Sequence, residues 1–284
     1  MRLPPDASIA DRRAHFVRIS EDCLPLPDDL RISPASIGGV PGEWHDAGGE
    51  TAGTVVLYLH GGGYAIGSSV THRALTGGIA RAAGSRVFSL DYRLAPEHRF
   101  PAAVEDAVAA YRGLLAAGWP PDAVFVAGDS AGGGLAAAVL VSLRDAGVPL
   151  PAGGVLISPW TDLELTGETL ATNAAHDPFV QRESAGVSVR RYLGESGDPR
   201  HPLASPIHAD LRGLPPLLIQ VGLAETLLDD SRRLATRARA AGVEVSLSAY
   251  PDMIHIFPFF ANRLREGRAA IDEIGAFIRA RRPA

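Results

Sequence analysis

Ser130 lies in Gly128-Asp129-Ser130-Ala131-Gly132, between the apolar run Ala123-Val124-Phe125-Val126-Ala127 and the small-residue run Leu135-Ala136-Ala137-Ala138-Val139-Leu140. A buried strand that turns sharply into a helix is the reading of this pattern. Gly128 and Gly132 keep Cβ atoms out of the bend, and the serine hydroxyl stands exposed on the turn. The helix that starts behind it offers a free backbone N–H and the positive end of its dipole to a developing oxyanion. A serine hydroxyl is a poor nucleophile at neutral pH, so the chain must also supply a base and a carboxylate to orient that base.

Of the nine histidines, only His255, in Pro251-Asp252-Met253-Ile254-His255, combines a strand-end loop with a position late in the chain. That place suits a Ser…acid…His order. The carboxylate should leave the preceding strand end, after Leu217-Leu218-Ile219-Gln220-Val221, where Glu225, Asp229 and Asp230 follow. Asp229 and Asp230 sit where a helix begins and suit capping and dipole complementation. Glu225 sits in the loop itself, nearer the sheet edge, and is preferred, with Asp229 second. A third element is His60-Gly61-Gly62-Gly63-Tyr64 after the strand Val55–Leu59. Its glycines let backbone N–H groups approach a ligand and, with the N–H of Ala131, form a three-donor oxyanion hole. Losing one such donor typically costs about 3 kcal/mol of transition-state stabilisation.

The elements around these residues alternate. Strands are expected at 55–59, 87–90, 123–127, 154–157, 216–221 and 243–250, and helices at 10–21, 71–83, 102–117, 132–146, 229–241 and 263–281. This rhythm predicts an α/β fold with a mostly parallel sheet covered by helices on both faces, and ligands beyond the carboxyl ends of the strands. Two pieces break the rhythm. Residues 1–45 read as strand-poor, with Pro25, Pro27 and Pro34 breaking the pattern. Residues 163–212 are polar and interrupted by Pro178, Pro199, Pro202 and Pro206, with their most helical part at 181–193. Both are assigned to a cap over a catalytic domain made of 46–162 and 213–284.

Composition narrows the chemistry. With 284 residues and 46% hydrophobic content, the chain can bury one large core. A net charge of -5 without a basic run argues against nucleic acid as a partner. All 27 positive residues are arginine, so lysine-dependent phosphate loops and Schiff bases are excluded. Cys23 is the only cysteine, which excludes an intrachain disulfide and a thiolate metal cluster. Met1-Arg2-Leu3-Pro4-Pro5-Asp6 lacks the apolar core of a signal peptide, and no stretch is long and apolar enough for a membrane span. A cytoplasmic protein without metal or organic cofactor is expected.

Together His60-Gly61-Gly62-Gly63-Tyr64, Asp91-Tyr92-Arg93-Leu94-Ala95-Pro96-Glu97 and Gly128-Asp129-Ser130-Ala131-Gly132 resemble the hormone-sensitive-lipase-like family of α/β-hydrolases, the bacterial carboxylesterases with this serine motif. The resemblance runs from about residue 40 to the C-terminus. It implies an α/β-hydrolase fold with a mainly helical cap, Ser130 as nucleophile, His255 as base, and Gly62, Gly63 and Ala131 as the oxyanion hole. It also implies an acid at the start of Glu225-Thr226-Leu227-Leu228-Asp229-Asp230, where most relatives carry an aspartate followed by proline. Glu225-Thr226 departs from that pair. Asp91, Arg93, Glu97 and Asp129 are expected to tie loops together rather than react.

The implied substrate is a small-molecule ester of short to medium acyl length. Tyr64, Tyr92, Trp160 and Phe179 are candidate pocket walls, as are Tyr192, Ile256 and Phe257. The chain also resembles monoterpene ε-lactone hydrolases, which leaves a cyclic ester as an alternative substrate. Binding proteins on the same fold that have lost part of the triad are the alternative from another class. Relatives imply a homodimer through 243–250 and 263–281.

Overall fold

A computed structural model describes residues 4, 7–26, 28–48 and 53–283. Pro27, the side chain of Cys23 and most of the first six residues, on which the signal-peptide expectation rests, lie outside the described residues. The sheet has eight strands: β1 (Arg31–Ile37), β2 (Val40–Asp46), β3 (Val55–Leu59), β4 (Arg86–Leu90), β5 (Val124–Asp129), β6 (Gly153–Ile157), β7 (Leu217–Gly222) and β8 (Val245–Tyr250). Their spatial order is β1-β2-β4-β3-β5-β6-β7-β8. Strands β3 to β8 run parallel, and the β1–β2 hairpin joins β4 antiparallel.

The helices are α1 (Ile9–Cys23), α2 (Ser69–Ala83), α3 (Ala102–Ala116), α4 (Ala131–Asp145), α5 (Thr169–Thr172), α6 (Arg182–Leu193), α7 (Leu228–Ala240) and α8 (Arg265–Arg279). Strand alternation divides the core between two faces. Val55, Leu57 and Leu59 pack with Tyr111 of α3, Leu135 of α4 and Leu234 of α7. Val56 and Tyr58 point the other way, toward Leu75 and Ile79 of α2 and Ile274 and Ile278 of α8. Parallel strands buried on both faces read as continuous apolar runs, which is why β3 and β5 are legible in the sequence.

Residues 31–46 depart from expectation. They form the β1–β2 edge hairpin of the sheet instead of belonging to the cap. β1 is largely exposed and holds Pro34, which an edge strand tolerates because one side of it has no ladder to join. The polar pattern that suggested irregular chain is the pattern of a sheet edge. The segment 163–212 carries α5, α6 and a short 3-10 turn at Pro206–His208, and no strand among the described residues. Helix α1 is strapped to the body by Arg13, which donates to the carbonyls of Ala65 and Ala95 and pairs with Glu97. Among the described residues no helix is long and apolar enough to cross a membrane.

Candidate active site

Ser130 sits between the end of β5 and the first residue of α4 with φ 54° and ψ −121°. A left-handed φ at a non-glycine residue is strained and persists only where the surroundings fix it. Here the Ser130 N–H donates to Ile157 O at 2.8 Å, and Ser130 O accepts from Trp160 N at 2.9 Å and Gly134 N at 3.1 Å. The two motif glycines are sterically required. A Cβ on Gly132 would stand 2.0 Å from Leu59 O, and one on Gly128 would stand 2.3 Å from Gly132 O.

His255 follows β8 and is buried. Its Nε2 lies 2.9 Å from Ser130 Oγ and its Nδ1 2.7 Å from Glu225 Oε2. Since a carboxylate only accepts, Nδ1 carries the hydrogen and Nε2 is left as the acceptor facing the serine. Burial opposes protonation of His255. The hydrogen bond and charge of Glu225, with Asp177 and Asp129 behind it, outweigh burial and hold the imidazole above the ordinary histidine value. Glu225 leaves the loop after β7 and is fully buried. Its Oε1 accepts from Ser158 Oγ at 2.9 Å and from Gly222 N–H. The loops after β7 and β8 are joined by Ala224 N–H donating to Met253 O at 3.0 Å, which sets the acid against the base.

The other acidic candidates point elsewhere. Asp229 Oδ2 accepts from Thr169 N–H at 3.1 Å. Asp230 is buried and accepts from Thr161 N–H at 2.7 Å and Asp162 N–H at 2.9 Å. Burial pushes its carboxyl up to about 7, against the pull of those two N–H groups.

The glycine loop after β3 bends through positive φ at Gly62 (116°), Gly63 (60°) and Tyr64 (60°). It is anchored from below. Gly61 N–H donates to Asp129 Oδ1 at 3.0 Å, and His60 O accepts from Tyr92 Oη at 2.7 Å. Gly62 O accepts from Ala65 N–H at 3.1 Å and Ile66 N–H at 3.0 Å. No acceptor among the described residues meets the N–H groups of Gly62, Gly63 or Ala131. Asp129 ties the region together: its Oδ1 also accepts from Tyr58 Oη at 2.7 Å and lies 3.3 Å from His72 Nε2. Burial would raise the Asp129 carboxyl, but His72 and the Tyr58 hydroxyl hold it below the usual aspartate value. His60, also buried, is driven down to about 3 by desolvation and stays neutral.

Asp91, Arg93 and Glu97 each bind a neighbouring segment. Asp91 accepts from Ser69 N–H at 2.7 Å at the start of α2, Arg93 Nε donates to Asp106 at 2.9 Å, and Glu97 meets Arg13 at 2.7 Å.

The expected pocket walls separate into groups. Tyr64 and Tyr192 stack with centroids 3.7 Å apart, which seats α6 over the glycine loop, and Trp160 lies beside them at 6.2 Å. Tyr92 stacks on His60 at 4.3 Å and Phe257 packs on Tyr250 at 4.7 Å. Both are buried, as are Tyr64, Trp160 and Tyr192. Ile256 is partly buried, and Phe179 is 48% exposed and stacked on Phe260. Two polar residues of the site carry no sequence motif of their own. Ser158, at the end of β6, holds Glu225, and Asp177 in the cap accepts from Thr226 N–H at 2.9 Å. Away from the site, Asp162, Glu164 and His208 each bring one potential ligand atom within 4.8 Å of the others. Arg233 already occupies Asp162 at 2.9 Å, and His208 already meets Glu164 at 3.0 Å.

A family model described as the alpha/beta hydrolase fold matches residues 56–259. An acetyl-hydrolase of Streptomyces hygroscopicus is 50% identical over 86% of this chain and 81% of its own length. An esterase of Acinetobacter venetianus is 35% identical over 98% of this chain and 91% of its own. A crystal structure of an esterase from the bacterial hormone-sensitive lipase family superposes with a TM-score of 0.95 at 53% identity, covering 98% of this chain and 93% of that one. The chain belongs to the α/β-hydrolase-fold family and, within it, to the hormone-sensitive-lipase-like carboxylic ester hydrolases.

Proposed function

We propose that this enzyme hydrolyses short- to medium-chain acyl esters through a Ser130-His255-Glu225 triad and an acyl-enzyme. The observation that carries the reading is the continuous chain from Ser130 Oγ through His255 to Glu225, at 2.9 and 2.7 Å. In the first half-reaction Ser130 Oγ attacks the ester carbonyl carbon as its proton passes to His255 Nε2. The carbonyl oxygen, now negative, takes the N–H groups of Gly62, Gly63 and Ala131, which meet no acceptor among the described residues and stand at a helix start and a glycine loop. Collapse of this intermediate breaks the bond to the alkoxy group, which leaves with the His255 proton. Water then gives its proton to His255 and attacks the acyl-enzyme. The same steps in reverse free the carboxylic acid and restore Ser130. Glu225 holds the imidazole tautomer and stabilises the imidazolium formed in both halves.

The acetyl-hydrolase and esterase relatives favour an open-chain ester over a cyclic one. The presence of nucleophile, base and acid together favours turnover over a receptor that only binds. The aromatic group Tyr64, Trp160 and Tyr192 beside the glycine loop, with the exposed Phe179 at the cap, supports an acyl group of modest length. The test is turnover of p-nitrophenyl acetate and butyrate by wild type and Ser130→Ala. Hydrolysis that disappears with the hydroxyl is expected, and turnover independent of Ser130 sinks the triad. A p-nitrophenyl chain-length series beside ε-caprolactone separates open-chain from cyclic esters.

A further inference from the structure

Helix α5 and the segment joining it to α6 hold the loop that carries Glu225. Thr169 Oγ1 donates to Thr226 O at 2.8 Å, and Asn173 Nδ2 donates to the carbonyls of Leu223 and Glu225, both at 3.0 Å. The central contact is Asp177. Its Oδ2 accepts from Thr226 N–H at 2.9 Å and Thr226 Oγ1 at 3.0 Å, and its Oδ1 accepts from Phe179 N–H at 2.9 Å and Val180 N–H at 3.2 Å. Asp177 is 2% exposed and Thr226 is fully buried. A carboxyl group taken out of water and met by four donors is an expensive arrangement that persists where its geometry is used.

The sequence shows why this loop needs such a partner. A proline at 226 would bring no N–H into the interior and a fixed φ. Thr226 brings a buried N–H and a buried hydroxyl, and both find Asp177. Without that acceptor the N–H would be unsatisfied next to the residue that orients His255.

We propose that Asp177 is a positioning residue for ester hydrolysis: by holding Thr226 from the cap it fixes the loop that sets Glu225 against His255. The proposal rests on the triad reading above. Asp177 also contributes to the field at His255, where the carboxylates acting on the imidazole are Glu225 from the β7 loop, Asp177 from the cap and Asp129 from the end of β5. Asp177 therefore affects His255 both through the loop and through its charge.

The experiment compares wild type, Asp177→Asn, Thr226→Pro and the double variant with p-nitrophenyl butyrate, with thermal unfolding as the folding control. Asp177→Asn is expected to lower kcat about tenfold while KM changes less than about twofold, because it disturbs the geometry of the reacting groups rather than binding. Its acid limb should move to lower pH, since one negative charge acting on His255 is gone. Each single change strands one partner of the Asp177–Thr226 contact. The double change removes both, so its kcat should exceed the product of the two single losses by at least about threefold. Wild-type kcat and pH profile in Asp177→Asn would overturn the proposal, and so would strictly multiplicative losses. If Asp177→Asn does not fold, Thr226→Val, which removes only the hydroxyl, takes its place: a kcat reduced about threefold supports the proposal, and wild-type kcat overturns it. A wild type without Ser130-dependent turnover would sink the triad reading itself, a result distinct from all of these.

Discussion

Ser158 donates its hydroxyl to Glu225 Oε1 at 2.9 Å and accepts the N–H of Ile256, the residue after His255, at 3.1 Å. One buried hydroxyl thus joins the loop of the acid to the loop of the base. Ser158 reaches this position with φ 46°, a strained conformation at the end of β6, secured by its N–H donating to Gln220 O at 2.7 Å. Ser158→Ala removes a hydrogen bond to a charged group, worth roughly 1.5–3 kcal/mol, so kcat should fall by about tenfold or more with KM little changed. Steady-state kinetics on p-nitrophenyl butyrate measures this, and an unchanged kcat would show that Gly222 alone holds Glu225.

Asp129 should matter to stability as much as to rate. It is fully buried, its Oδ1 accepts from Tyr58 Oη and Gly61 N–H, and His72 Nε2 lies 3.3 Å from it. Asp129→Ala leaves these groups without their acceptor, at a cost on the order of 3–5 kcal/mol, and frees the glycine loop. Thermal unfolding should show a Tm lowered by many degrees, and kcat at a temperature where the variant is still folded should also fall.

The proposed triad mechanism needs His255 neutral, and Glu225 holds its pKa above the ordinary value of 6.5. The acid limb of kcat/KM should therefore lie above pH 6.5, with activity rising as pH rises through it. Glu225→Gln should lower kcat by a factor on the order of 10³ to 10⁴ by analogy with other triads, and move the limb to lower pH. Asp229→Asn should stay near wild type, because Asp229 meets only the 169–229 contact. The same raised pKa stabilises the fold. That contribution is present in full below pH 6.5 and is lost as pH rises through the folded-state pKa.

Asp230 has the opposite consequence for an acid. Its carboxyl is pushed from 3.8 up to about 7, so between those values the folded state binds a proton that the unfolded chain has released. Stability from this group falls as pH rises through that window, by up to roughly 1.4 kcal/mol per pH unit. Asp230→Asn keeps one oxygen for Thr161 and Asp162 N–H and has no charge to bury. Its Tm relative to wild type should increase from pH 5 to about pH 7 and then level off; a constant difference over that range would mean Asp230 is ionised throughout.

The sequence is most informative where burial is complete. β3 and the first four residues of β5 are continuous apolar runs, β7 is apolar but for Gln220, and Ser130, His255 and Glu225 follow β5, β8 and β7 at the ends where chemistry is expected. The β1–β2 hairpin is hidden because an edge strand needs neither an apolar face nor freedom from proline, as Pro34 shows. Tyr92 and Phe257 are aromatic residues near the motifs, but pattern does not reveal whether a ring faces a cavity or supports a loop. Ser158 and Asp177 escape for another reason. Their partners lie 67 and 49 residues away, and nothing local marks a serine or an aspartate as the one that will meet them.

The Asp177–Thr226 contact has a consequence for building chimeras. A segment 163–212 grafted onto this body without an acceptor at position 177 would leave the buried N–H and hydroxyl of Thr226 without that partner. The segment 163–212 and the loop after β7 share buried hydrogen bonds, so exchanging one without the other breaks them. Residue 226 must travel with that segment, so the natural seam for recombination runs behind the acid loop rather than at the edge of the insertion.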